Sequence, residues 1–116
     1  MTMRIVKNPI KKAELIEMVS GGFGDVVKAA VDVGQGIMAI GGELHADEEV
    51  LLMEKESSRR ESIWGINIYP TKPEEEWIEF DSMINLKPAF GNRSREVENP
   101  AIKEKIKSVV KKLVVD

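Results

Sequence analysis

Residues 26–47, VVKAAVDVGQGIMAIGGELHAD, decide the fold. Val27, Ala29, Val31 and Val33 alternate with Lys28, Ala30 and Asp32, and this period of two predicts a half-buried strand. Gly34-Gln35-Gly36 supplies a flexible reversal, and Ile37 to Ile40 returns as the second strand of a hairpin. On the returning strand Met38, Ile40 and, past Gly41-Gly42, Leu44 share one face. Ile37, Ala39, Glu43 and His45 share the other for as long as the chain stays extended. Asp47 is the expected N-cap of a helix, since its carboxylate can accept from the first free backbone N–H groups. Glu48 and Glu49 suit the positive end of that helix, which continues through the apolar run Val50 to Met53 and ends near Glu56.

Upstream of the hairpin, Met3 to Val6 is β-prone. Lys11 to Val19 reads as a helix with Leu15, Met18 and Val19 on one stripe, stopped at Ser20-Gly21-Gly22. Downstream, Ser57 to Ser62 is a polar loop carrying Arg59 and Arg60. Trp64, Ile66 and Ile68 alternate with Gly65 and Asn67 as a third strand. Pro70 and Pro73 exclude its continuation. Ile78, Phe80, Ser82, Ile84 and Leu86 alternate with Glu79, Asp81, Met83 and Asn85, which predicts an antiparallel partner strand over 78–86. Lys87 to Glu98 is a loop. Asn99 caps the last helix and Pro100 fits its first turn, where no N–H is needed. Ile102, Ile106, Val109, Val110, Leu113 and Val114 form its apolar stripe. The order β-α-β-β-α-β-β-α predicts a single α+β domain over 1–116. Its antiparallel sheet has four or five strands, and its three helices are expected on one face.

The totals narrow the class. A chain of 116 residues with 42% apolar residues suffices for one core without staples. The absence of cysteine removes disulfides, thiolate catalysis and cysteine-ligated zinc. The start MTMRIVKNPI lacks the apolar segment of a signal peptide, and no run approaches the ~20 residues of a membrane span, so a cytoplasmic location without membrane contact is expected. A net charge of −3 argues against a nucleic-acid partner, whose phosphates reward basic surfaces.

The phrases GIMAIGGELHADEE, WGINIYP, and IEFDSMINLKP followed by GNRSREVE resemble a family of small single-domain prokaryotic proteins of unknown function. The resemblance spans nearly the whole chain. It implies no activity, cofactor or catalytic residue.

Two groups of residues offer chemistry. Glu43, His45 and Asp47 would point to one side of an extended strand, where two carboxylates and an imidazole can hold a divalent metal, with Glu48 assisting. Against this, Asp47 is needed as a cap and only one histidine is present in the chain. The loop Lys87 to Arg95 combines Gly91 with the donors Asn92, Arg93, Ser94 and Arg95, a set suited to an anion. Its bland alternative is a structural loop with arginines paired to Glu96, Glu98 or Glu74 to Glu76. Trp64 reads as core. Trp77 reads as a cover for the sheet edge or, alternatively, an exposed anchor. Glu79 and Asp81 share the side of Trp77 and read as a solvated face.

These observations favour a non-enzymatic binding or interaction module that uses Asn92, Arg93, Ser94 and Arg95, with Arg59 and Arg60 nearby. Its partner would be an anionic ligand or a protein. A homodimer through an uncovered sheet face or an edge strand fits the same pattern. The alternatives are a metal-dependent hydrolase built on Glu43, His45 and Asp47, and an RNA binder that uses the four arginines with Trp77 as a stacking surface.

Overall fold

The computed structural model describes residues 3–20 and 25–116; the helix stop expected at Gly21-Gly22 lies outside them. In chain order the elements are β1 (Arg4–Val6), β2 (Ile10–Lys11), α1 (Lys12–Ser20), β3 (Val27–Asp32), β4 (Ile37–Ile40), α2 (His45–Glu56), β5 (Ile63–Ile68), β6 (Ile78–Glu79), α3 (Pro100–Leu113) and β7 (Val114–Val115). Five strands form an antiparallel sheet in the order β1-β4-β3-β5-β6, and β2 pairs with β7 in a small parallel sheet. The α+β class read from the sequence is the class observed. The β2–β7 pairing was not legible, because two two-residue segments from opposite ends of the chain carry no periodic signal.

Local chemistry accounts for the element ends. The Glu14 carboxylate accepts from the Lys11 backbone N–H at 3.0 Å and pairs with Arg4 at 2.9 Å, which ties the start of α1 to β1. Asp32 is buried and builds the hairpin turn. Its Oδ1 accepts from the N–H groups of Gly34 (2.8 Å) and Gln35 (3.1 Å), while Gly36 takes φ +70°. The Gln35 side chain then donates to the Glu56 carbonyl at 2.9 Å, which fastens the hairpin to the end of α2. Asn99 caps α3 as expected, with its Oδ1 accepting from the Ala101 N–H at 2.8 Å.

The helices do not share one face. Val27, Ala29, Val31, Met38, Ile40, Trp64, Ile66 and Ile68 lie on the side packed by α1 and α3, with Leu15, Val19, Ile106, Val109, Val110 and Leu113 closing that core. Ala30, Ile37, Ala39 and Ile63 face the other way and meet Leu52 of α2. The cause is a row of small residues. Ala39, Ala30 and Gly65 are direct cross-strand neighbours, so the second face is shallow at its centre and another layer can sit close to it. Strands β3, β4 and β5 are therefore buried on both faces, which removes the uncovered face expected to serve a homodimer.

The strand expected over 78–86 stops at Glu79. The chain instead folds over Gly65 into a 3₁₀ turn, Met83–Asn85. The Asn85 side chain takes the place of the missing strand. Its Oδ1 accepts from the Gly65 N–H at 2.8 Å and its Nδ2 donates to the Gly65 carbonyl at 3.0 Å. Ser82, Ile84 and Leu86 mimic strand alternation while serving this turn. Trp64 and Trp77 both belong to the first core, so the exposed stacking surface required by the RNA reading is not formed. Lys12 Nζ lies 5.3 Å from the centroid of the Trp77 ring.

A Cβ on Gly65 would lie 2.5 Å from both Cβ and Oγ of Ser82. Gly65→Ala must therefore displace the turn that docks there, at an expected cost of about 1–3 kcal/mol or more. Urea denaturation measures it; an unchanged midpoint would contradict the packing described.

Candidate functional site

The first sequence-derived group does not assemble. Gly41, at φ +86°, turns the chain out of β4, and α2 begins at His45 rather than after Asp47. The N-cap is Leu44, which offers no side-chain hydrogen bond. Once His45 and Asp47 are helical they sit about 200° apart around the axis, so the same-side geometry of a strand is lost. Glu43 and Asp47 are exposed while His45 is buried. Among the described residues no group of three His, Asp or Glu side chains is placed to hold a metal ion.

Glu48, considered as an assisting ligand, is instead fully buried. Its Oε2 accepts from the Gly42 N–H at 3.0 Å, and its Oε1 has no hydrogen-bond partner. Burial lifts its pKa from 4.5 to about 9, against the opposing pull of the Gly42 hydrogen bond. The carboxyl is thus protonated and neutral at pH 7.

The second group divides. Asn92 is buried and organises its own loop: Nδ2 donates to the carbonyls of Asn85 (2.7 Å), Ser94 (3.1 Å) and Glu96 (2.7 Å), and Oδ1 accepts from the Glu98 N–H at 2.9 Å. Ser94 Oγ accepts from the Glu96 N–H at 3.3 Å. Lys87 is also internal, donating to the Ile84 carbonyl at 2.8 Å. Arg93 is exposed; its backbone N–H donates to Glu98 at 3.2 Å. Arg95 pairs with Asp81 at 2.8 Å, a partner outside the acids considered from sequence. Arg59 and Arg60 lie 3.9 and 3.8 Å from Glu61 and Glu49, respectively.

One member of each group, His45 and Arg95, meets in a cleft of about 220 Å³ at the N-terminus of α2. Lys28, Asn67 and Asp81 line it too, with Leu44, Met83 and Ile84 as apolar neighbours. Lys28 and Asn67 were missed by sequence reasoning. Their signal was one polar residue within each of the apolar runs 27–31 and 63–68, and they are direct partners across β3 and β5. The Asn67 Nδ2 donates to Glu79 Oε1 at 2.9 Å and to the Asp81 carbonyl at 3.2 Å.

His45 is 8% exposed, and its Nε2 lies 2.8 Å from the Ile66 carbonyl oxygen. A carbonyl only accepts, so Nε2 carries the proton and the neutral ring keeps its lone pair on Nδ1. Burial pushes the His45 pKa below its ordinary value; the Ile66 hydrogen bond opposes this, Lys28 adds to it, and Asp81 and Asn67 oppose it. The cleft therefore presents two cations, one carboxylate and a neutral imidazole. The backbone N–H groups of His45 and Ala46 precede the first intrahelical bond, and Leu44 gives them no side-chain cap.

The state of Glu48 has a measurable consequence. A carboxyl whose pKa is raised on folding takes up a proton, so its contribution is most favourable below pH 4.5 and is lost as pH rises toward about 9. Glu48→Gln should gain stability relative to the wild type between pH 5 and 8, by at most about 1.4 kcal/mol per pH unit. Paired denaturation curves across that range measure this; a difference independent of pH would contradict a buried, protonated Glu48.

Comparison with known proteins adds the family. No curated protein and no solved structure matches the chain. One family model, described as a protein of unknown function (DUF5674), matches residues 4–113. Among the described residues no helix is long and apolar enough to cross a membrane. With nearly its whole length matched, the chain, α+β in fold, belongs to this family of proteins of unknown function.

Proposed function

We propose that this protein is a small cytoplasmic single-domain binding module whose ligand is a compact anion held in the cleft at the start of α2. The observation that carries the reading is convergence. Lys28 from β3, His45 from α2, Asn67 from β5, Asp81 after β6 and Arg95 from the following loop all line one depression. Leu52 packs α2 against the sheet and His45 ties its first turn to Ile66, and the other four polar side chains reach the same depression from β3, β5 and the chain beyond β6.

The electrostatics favour an anion. Lys28 and Arg95 outnumber Asp81, and His45 is neutral. The uncapped first turn of α2 adds backbone donors and the positive end of its dipole. Glu48, only three residues along α2, adds no opposing charge because it is protonated. The loop chosen from sequence keeps a role through Arg95, while Asn92 holds that loop in shape. The volume suits a molecule smaller than those taken by ordinary pockets of about 300–1,000 Å³.

The test is an amide NMR titration at low salt with inorganic phosphate and with acetate. Saturable shifts should appear at Lys28, His45, Ala46, Asn67 and Arg95. Lys28→Ala and Arg95→Ala should each weaken binding about 10- to 100-fold, as expected for loss of a charge-assisted hydrogen bond of about 1.5–3 kcal/mol. Arg93→Ala should leave binding unchanged. The Arg95–Asp81 pair is solvent-exposed, so Arg95→Ala should stay folded. No saturable shift at these residues, or equal binding in all three variants, would overturn the reading.

A further inference from the structure

Leu44 stands where a helix ordinarily takes a residue that can cap it. Ser, Thr, Asp or Asn there would accept from a free N–H of the first turn, and leucine cannot. Leu44 is nonetheless the N-cap of α2, and its side chain is 57% exposed. Met83, from the turn docked over Gly65, is 63% exposed and lines the same cleft. Neither side chain belongs to the two core clusters, so folding gains little from either. The cleft thus carries an apolar rim of Leu44 and Met83, continued by the half-buried Ile84.

The polar lining beside that rim is incompletely paired. Lys28 is half-buried, yet its ammonium has no hydrogen-bond or ion-pair partner among the described residues. Arg95 gives its Nε to Asp81 at 2.8 Å, and no other described side chain pairs with its guanidinium. Two cations and one carboxylate line the cleft, so a ligand with a single negative charge balances them. A carboxylate supplies that charge on a planar group suited to a guanidinium.

We infer that the ligand is a short-chain aliphatic monocarboxylate, with its carboxylate held by Lys28, Arg95 and the first turn of α2 and its chain laid against Leu44 and Met83. This rests on the anion-binding reading above and specifies it. Leu44 then has two roles: it leaves the first-turn N–H groups to the ligand and contacts the ligand's chain. The volume of about 220 Å³ limits that chain to a few carbons.

The experiment titrates the full chain with acetate, butyrate, 1-butanol and inorganic phosphate at one ionic strength and pH 7, read by amide NMR. These probes separate an acid without a chain, an acid with one, the chain without the acid and an anion of another class. Butyrate should bind about 4- to 16-fold tighter than acetate, which is about two- to fourfold for each methylene covered. Butanol should bind more weakly than butyrate, and phosphate no more tightly. Leu44→Ala and Met83→Ala combined alter only exposed side chains, so the variant should stay folded and bind acetate as the wild type does. In it the advantage of butyrate should fall to about twofold or less. The chain-bearing ligand is overturned, while the anion site stands, if butyrate gains less than about fourfold over acetate or keeps more than about twofold in the double variant. Butanol matching butyrate, or phosphate exceeding it, overturns it equally. If none of the three anions shifts the cleft residues, both readings fall together.

Discussion

The structure depends on how closely other chain segments can approach the second face of the sheet. Ala39, Ala30 and Gly65 line up across three strands and leave that face without bulk at its centre. At Gly65 the approach is closest: the Ser82 side chain occupies the space a Cβ would need. Leu52 of α2 packs against the same face, and the Asn85 amide completes the hydrogen bonding of Gly65 that a longer β6 would have supplied. The position of the cleft follows from this contact, because α2 brings His45 from one side and the 82–85 turn brings Asp81 and Arg95 from the other. A larger residue at the centre of the row would separate the two walls.

Charge follows from burial in the same region. Glu48 and His45 both lie in the first turn of α2, and both are desolvated. Desolvation favours the neutral form of each, so it raises the carboxyl and lowers the imidazole. A helix start with three acidic residues in sequence, Asp47 to Glu49, would otherwise repel anions. Neutralising Glu48 removes one of these three charges, while Lys28 and Arg95 line the cleft itself.

The parts of the fold legible in the sequence were those set by local chemistry. Asn99-Pro100 and the 3.6-residue stripe behind them define α3, and the period-two run around Gly34-Gln35-Gly36 defines the hairpin. What failed depended on contacts distant in sequence. Alanines fit either a solvated or a covered face, so the second layer could not be read from Ala30 and Ala39. Alternation over Ile78 to Leu86 was real in the sequence, but Ser82 and Asn85 are spent on Gly65 rather than on a ladder. Asp47 has the chemistry of a cap, yet the helix starts earlier because Gly41 turns the chain before it. His45 and Arg95 could each be singled out by residue type. Their meeting with Lys28 and Asn67 is a consequence of the β3–β5 register and the docked turn, which no local pattern encodes.

The account therefore turns on the anchored, neutral His45. Its ring state can be read directly from long-range proton–nitrogen correlations of the imidazole at pH 7, on the uniformly labelled, unliganded protein. The single histidine makes the assignment unambiguous. A neutral ring with its proton on Nε2 is the predicted result, consistent with donation to Ile66. An Nδ1–H tautomer, or an imidazolium at that pH, would contradict the account, because the Ile66 anchor or the burial would be wrong.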